Sequence, residues 1–213
     1  MSIYRSMFKK FGHQNWWPGE TPFEIAVGAV LTQNTSWGNV ERAIDNLKNA
    51  GALDPFVLRT LPVSSLAEFI KPAGYFNVKA QRLKALVDFI CDELEGDVTL
   101  LKRFPVLTAR EKLLSVNGVG KETADSILLY AVGLPIFVID AYTRRILGRL
   151  GLCEPDTEYD VMQSLFMKHL PEDVALYNDY HAQFVRLAKV HCRKKPLCKG
   201  CPLKKWCSFS AGE

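Results

Sequence analysis

The stretch from Leu113 to Arg145, LLSVNGVGKETADSILLYAVGLPIFVIDAYTRR, constrains the fold of this chain more than any other. Its first half reads as the end of a helix, a tight turn Val116-Asn117-Gly118-Val119-Gly120, and a second helix from Lys121 to about Val132. Glycine enters the left-handed backbone region without steric cost, so two glycines around one apolar residue suit a sharply curled turn. The amides of such a turn, followed by the open N–H groups of a helix N-terminus, form a concave donor cluster for an anion such as phosphate. The second half runs Phe137-Val138-Ile139 into Asp140, with Ala141-Tyr142-Thr143-Arg144-Arg145 continuing at helical spacing. Asp140 therefore reads as a helix N-cap with an apolar wall behind it. Taken singly, the two halves are compatible with an ordinary turn and an ordinary cap; their order and separation carry more.

The remaining periodicity is helical. Thr21-Pro22-Phe23-Glu24 is a capping box with Pro at the first helical position, leading a buried helix that ends at Leu31-Thr32-Gln33-Asn34. A helix from Ser36 or Asn39 carries Val40, Ala43, Ile44 and Leu47 and closes at Gly51. Capping boxes are expected at Ser65-Leu66-Ala67-Glu68, within a short helix between Leu61 and Pro72, and at Thr108-Ala109-Arg110-Glu111, before the hairpin. A longer helix holds Leu83, Leu86, Val87 and Ile90 and stops at Gly96, and two more occupy roughly 158–169 and 172–190. No alternating run is long enough for a strand, so the fold class is all-α, organised in two helical lobes.

With 213 residues, 48% of them hydrophobic and 23% charged, the chain can bury a substantial core. Its net charge of +4 permits a nucleic-acid partner without demanding one. The apolar runs are too short to span a membrane and the N-terminus lacks a secretory pattern, so an intracellular, cytoplasmic, soluble monomer is expected. Four cysteines, Cys192, Cys198, Cys201 and Cys207, follow one another as C-x5-C-x2-C-x5-C. In a reducing compartment that spacing means metal: structural zinc usually takes two C-x-x-C knuckles or His and only one knuckle, Cys198 and Cys201, is present, whereas a four-iron four-sulfur cluster accepts wider spacings, so the cluster is expected with zinc as the fallback. Cys91 and Cys153 stand apart and read as packed apolar side chains. From Tyr180 to Gly212 there is no acidic residue, while Arg186, Lys189, Arg193, Lys194, Lys195, Lys199, Lys204 and Lys205 are present. A one-signed run interleaved with Trp206 reads as a phosphate track.

The hairpin Val116-Asn117-Gly118-Val119-Gly120, Thr123-Ala124 in the following helix, Ile139-Asp140 opening the next, and the terminal cysteines together resemble the endonuclease III-like superfamily of helix-hairpin-helix DNA glycosylases. The resemblance covers nearly the whole chain. It implies a six-helix barrel carrying the hairpin over 21–135, and an iron-sulfur domain formed by 1–20 with 136–213. It implies Asp140 as the catalytic carboxylate at the mouth of a cleft, and double-stranded DNA containing damaged bases as the partner. Gln33 would fill the gap left by an extruded nucleotide, and Val116, Gly118, Val119, Gly120 and Lys121 would hold the backbone. The chain departs from the family in having one residue fewer between its first two cysteines.

A second departure is at Glu122. Members that also nick the strand carry a lysine there, two residues after the second hairpin glycine, and use its amine to form a Schiff base. Lys121 points about 100° away on a helix and is no direct substitute. Water is left as the nucleophile, which suits a base that already leaves easily, such as a purine made cationic by alkylation. Trp16, Trp17 and Trp37, with Glu122, are the expected base pocket, since a cation is attracted to aromatic faces. Trp-Trp-Pro, Leu-Thr-Gln-Asn-Thr-x-aromatic and Gly-Lys-Glu are similar to the type III 3-methyladenine DNA glycosylases, some of which lack the cluster cysteines. The expected activity is monofunctional excision of alkylated purines such as 3-methyladenine. The alternatives are a bifunctional endonuclease III-type glycosylase and lyase acting on oxidised pyrimidines, and a non-catalytic iron-sulfur DNA-binding module. A mismatch-specific adenine glycosylase is disfavoured, because the chain has no room for a second recognition domain after the cysteines.

Overall fold

The protein is described by a computed structural model, in which residues 1–209 are placed. The described residues are helical, with no β-strand among them. No described helix is long and apolar enough to cross a membrane. The chain divides into two compact units, one comprising residues 17–134 and the other residues 1–16 with those from 135 onward.

The 17–134 unit is built around α2 (Pro22–Leu31), whose Phe23, Ala26, Val27, Ala29, Val30 and Leu31 are all buried. Burying each of the larger side chains stabilises the fold by roughly 1.5–3 kcal/mol. Thr21 caps this helix by accepting from the Glu24 N–H at 3.1 Å, with Pro22 at the first position. The reciprocal half of the box is shifted by one residue, because Glu24 Oε2 accepts from the N–H of Glu20. Around α2 stand α3 (Trp37–Asn49), α4 (Pro55–Thr60), α5 (Val63–Phe69), α6 (Phe76–Glu93), α7 (Val106–Leu114) and α8 (Lys121–Ser126), the last continuing as a π-helical turn over Ile127–Val132. α2 packs directly on α3, α6, α8 and the π-helical turn.

Three helix starts differ from expectation. α5 begins at Val63 behind Pro62, and α7 at Val106 behind Pro105, so Ser65 and Thr108 lie inside helices and cap nothing. The proline ring presets φ, at −57° and −53°, each proline carbonyl accepts the first helical bond, and neither helix has a side-chain cap. α4 is an additional helix; Asp54 caps it by accepting from the N–H groups of Phe56 and Val57, with Pro55 at the first position.

The second unit contains α1 (Ser2–Phe11), α9 (Ala141–Arg149), α10 (Tyr159–Met167) and α11 (Val174–Val190). α11 packs against both α1 and α9. Asp179 on α11, 3% exposed, ties the N-terminal segment down by accepting from Tyr4 Oη and the Gln14 N–H, each at 2.9 Å. An aromatic core surrounds Phe137, which stacks on Phe166 at 3.9 Å and meets Tyr177 and Tyr180 edge-on. The buried extended segment leading to Asp140 satisfies its backbone with side chains of α10: Gln163 donates to Phe137 O at 2.7 Å, and the Ile139 N–H donates to Tyr159 Oη.

Candidate functional site

Asp140 caps α9 by accepting from the Thr143 N–H at Oδ1, 2.7 Å away. Its other oxygen, Oδ2, lies 3.5 Å from Nε2 of His181 on α11. Burial by itself would raise this carboxyl, but the His181 imidazole beside Oδ2 and the hydrogen bond from Thr143 outweigh it and hold the group below the usual carboxylate range. The side chain remains 15% exposed. The result is an anion fixed in orientation, backed by the apolar Phe137–Ile139 segment and open over a small area. Such a carboxylate can stabilise a developing cation or orient a water molecule.

The hairpin forms a compact turn in the 17–134 unit. Val116 and Val119 are 7% and 5% exposed, and their N–H groups are already used, donating to Leu113 O and Val116 O. These two residues therefore build the turn from inside and offer no donor to a ligand. Among the described residues the Asn117, Gly118 and Gly120 amides make no backbone bond, so these turn donors are not used by the backbone. Gly118 sits at φ 85°, and a Cβ there would fall 2.2 Å from Cγ of Arg82. Gly120 caps α8 in an extended conformation, and a Cβ at this position would have no atom within 4 Å, so its backbone does not require glycine. Lys121 and Glu122 occupy the exposed first turn of α8.

Gln33 is bound into this hairpin. Its Nε2 donates to Gly118 O at 3.1 Å and Thr123 Oγ1 at 3.0 Å, and its Oε1 accepts from Arg82 Nη1. Lys79, three residues before Arg82 on α6, is 2% exposed and donates to Leu31 O at 2.9 Å and Ala73 O at 2.8 Å. Burial first, and the Arg82 charge second, lower its ammonium to about 8. Tyr75 follows the Ala73 turn, 74% exposed at φ 47°. A left-handed tyrosine costs on the order of 1–2 kcal/mol.

The tryptophans separate. Trp17 and Trp37 meet edge to face at 5.1 Å, and Trp17 also lies 5.1 Å from Tyr130, so these rings form an aromatic cluster within the 17–134 unit. Trp37 Nε1 donates to Glu41 Oε1 at 2.7 Å. Trp16 belongs to the other unit, where Lys189 Nζ lies 5.8 Å from its ring.

The cysteine loop is folded and clasped by Arg149 of α9. Its guanidinium donates to Cys192 Sγ at 3.2 Å and to the carbonyls of Arg193 and Lys194, while Cys207 Sγ lies 3.3 Å from Arg149 O. Burial raises the Cys201 thiol, partly offset by hydrogen bonds from the Leu203 and Lys204 backbone. Among the described residues no three His, Cys, Asp or Glu side chains converge as on a single metal ion. Ligands to a cubane each bind a different iron and so stand farther apart than the ligands of one zinc. The basic side chains Arg186, Lys189, Arg193, Lys194, Lys195, Lys199, Lys204 and Lys205 are all exposed; the last residues of the acid-free run, 210–212, lie outside the described residues.

His181, Arg82, Lys79 and Tyr75 were not singled out by sequence reasoning. Lys79 could have been found, since it sits four residues before Leu83 on the apolar stripe of α6, where a lysine is out of place. For His181 and Arg82 the signal is spatial, because their partners are distant in sequence.

Residues 27–172 match the HhH-GPD superfamily of base excision DNA repair proteins. The chain is 48% identical over 206 residues to the "Putative DNA repair glycosylase MJ1434" of Methanocaldococcus jannaschii, covering 96% of this chain and 94% of that protein. A solved non-covalent endonuclease III–DNA complex superposes with a TM-score of 0.85 at 24% identity, covering 99% of this chain and 94% of that one. The H. pylori 3-methyladenine DNA glycosylase MagIII bound to 1,N6-ethenoadenine superposes with a TM-score of 0.74 at 30% identity, covering 88% of this chain and 95% of that one. With a family match over most of its length and a relative this similar end to end, the chain belongs to the HhH-GPD superfamily of base excision DNA repair proteins.

Proposed function

We propose that this protein is a monofunctional DNA glycosylase that hydrolyses the N-glycosidic bond of alkylated purines in double-stranded DNA. The observation that carries the reading is Asp140, an ionised carboxylate held rigid by Thr143 and His181 and still partly open. Bond cleavage leaves positive charge on the sugar. At about 4 Å and an effective dielectric of about 20, one carboxylate contributes roughly 4 kcal/mol of attraction to it. Asp140 also serves to orient the attacking water.

Glu122 supports hydrolysis over lyase chemistry, because it stands where strand-nicking relatives carry their amine and is itself no nucleophile for a Schiff base. The purine reading rests on the similarity to the ethenoadenine-bound glycosylase and on the aromatic cluster of Trp17, Trp37 and Tyr130. The Gly118 and Gly120 amides would hold one phosphate, the exposed basic side chains others, and Gln33 and Tyr75 would fill a stack that has lost a base. The folded cysteine loop and its Arg149 clasp suit a four-iron four-sulfur cluster on Cys192, Cys198, Cys201 and Cys207. That group would cross-link the loop and keep its lysines in place. The reading is tested by incubating the protein with DNA carrying 3-methyladenine and identifying the released base. Release with an intact strand supports it; release only of oxidised pyrimidines with nicking supports the bifunctional alternative.

A further inference from the structure

Gln33 has every polar atom of its side chain engaged in the DNA-free protein. Nε2 spans Gly118 O and Thr123 Oγ1, and Oε1 takes Arg82 Nη1. The backbone beneath it is pinned separately, because Lys79 holds Leu31 O and the Thr32 hydroxyl donates to Gly28 O at 2.6 Å. The loop is therefore fixed while the side chain alone is latched, and a rotation of Gln33 is enough to release it. Arg82 is the part of the latch that the hairpin does not itself supply. Its aliphatic stem lies along Gly118, on the face a side chain would otherwise occupy, and its guanidinium reaches past to Gln33.

We propose that Arg82 is a latch residue: it holds Gln33 against the hairpin in the resting enzyme, and opening of the Arg82–Gln33 contact gates insertion of Gln33 into DNA. The proposal rests on the reading of Gln33 as the gap-filling residue. A latch of this kind disfavours insertion at undamaged sites, where the stack resists entry, and yields where a base has already left. Arg82 is thus a positioning residue acting through Gln33, and loosening it shifts the balance toward the inserted state.

The test is a double-mutant cycle read as affinity, by fluorescence anisotropy, for a duplex containing a tetrahydrofuran abasic analogue and for the undamaged duplex. Arg82→Met keeps the stem along Gly118 and removes the guanidinium; circular dichroism confirms that each variant is folded. Losing one charge-assisted hydrogen bond from the resting state is expected to tighten binding to the abasic duplex roughly ten- to a hundredfold. Binding to the undamaged duplex should not tighten. Arg82→Lys, which retains a cationic donor, should restore part of the wild-type behaviour. In the Gln33→Ala background, Arg82→Met should have no further effect. If Arg82→Met fails to tighten abasic binding, or changes it equally with and without Gln33, the latch is overturned while the gap-filling role stands. If Gln33→Ala binds the abasic duplex as tightly as the parent, the gap-filling reading falls, and the latch with it.

Discussion

His181 Nε2 lies 3.5 Å from Asp140 Oδ2, with the two side chains 5% and 15% exposed. Together with the Thr143 cap, this pairing is what keeps a carboxylate with little solvent around it ionised. A carboxyl lowered on folding contributes stability above its unfolded value and loses it as pH falls through the folded value. Asp140→Asn should therefore lessen the loss of stability on acidification, which urea titrations at several pH values would measure. The same substitution should lower base release about a hundredfold or more while leaving DNA affinity nearly unchanged. His181→Asn removes the imidazole whose proximity lowers the Asp140 carboxyl, so the acid limb of the pH–rate profile should move to higher pH. An acid limb that stays in place would show that His181 does not act on Asp140.

The two hairpin glycines should respond differently. Gly118→Val forces a β-branched residue to φ 85° and into the Arg82 stem, and should cost on the order of 1–3 kcal/mol of stability along with DNA affinity. Gly120→Ala meets no protein atom, so its melting temperature should stay close to wild type. Any affinity it loses would report approach of DNA to that amide. Equal thermal destabilisation by the two substitutions would contradict the description of the turn.

Most of the helices and the order of the chemical groups were legible in the sequence, since Thr21, Gly118 and Asp140 each impose a local geometry that needs no distant partner, whereas the short α4 was missed. Helix starts were less so. At Pro62 and Pro105 a preset φ replaced the expected side-chain cap, and the apparent capping boxes fell within the helices. The Val116 and Val119 amides looked available because sequence does not show that the turn uses them. His181 and Arg82 act on residues 41 and 49 positions away, and no periodicity reports such pairings.

Lys79 gives a stability test at alkaline pH. Its folded value of about 8 lies below the ordinary 10.5, so between these values the unfolded chain holds a proton that the folded protein has released. Unfolding then takes up a proton, and wild-type stability should rise with pH across this window relative to Lys79→Met. Urea titrations at several pH values check the sign; parallel curves for the two proteins would contradict it.

Protein prepared without oxygen should be brown and contain iron and sulfide in equal amounts. Replacing Cys192, Cys198, Cys201 or Cys207 with Ser should lower that content and loosen the loop held by Arg149. Elemental analysis returning zinc alone would overturn the cluster assignment.

The central claim is hydrolysis without strand cleavage, and one measurement addresses it most directly. Wild-type protein is incubated with end-labelled duplexes carrying 3-methyladenine, 1,N6-ethenoadenine, uracil or an oxidised pyrimidine, in the presence and absence of borohydride. Released bases and strand length are read from the same tubes. The expected result is release of an alkylated purine, a full-length strand containing an abasic site, and no covalent protein–DNA adduct. Release of uracil or an oxidised pyrimidine with the alkylated purines untouched would contradict the substrate class, and a nicked strand with a trapped adduct would contradict the hydrolytic mechanism.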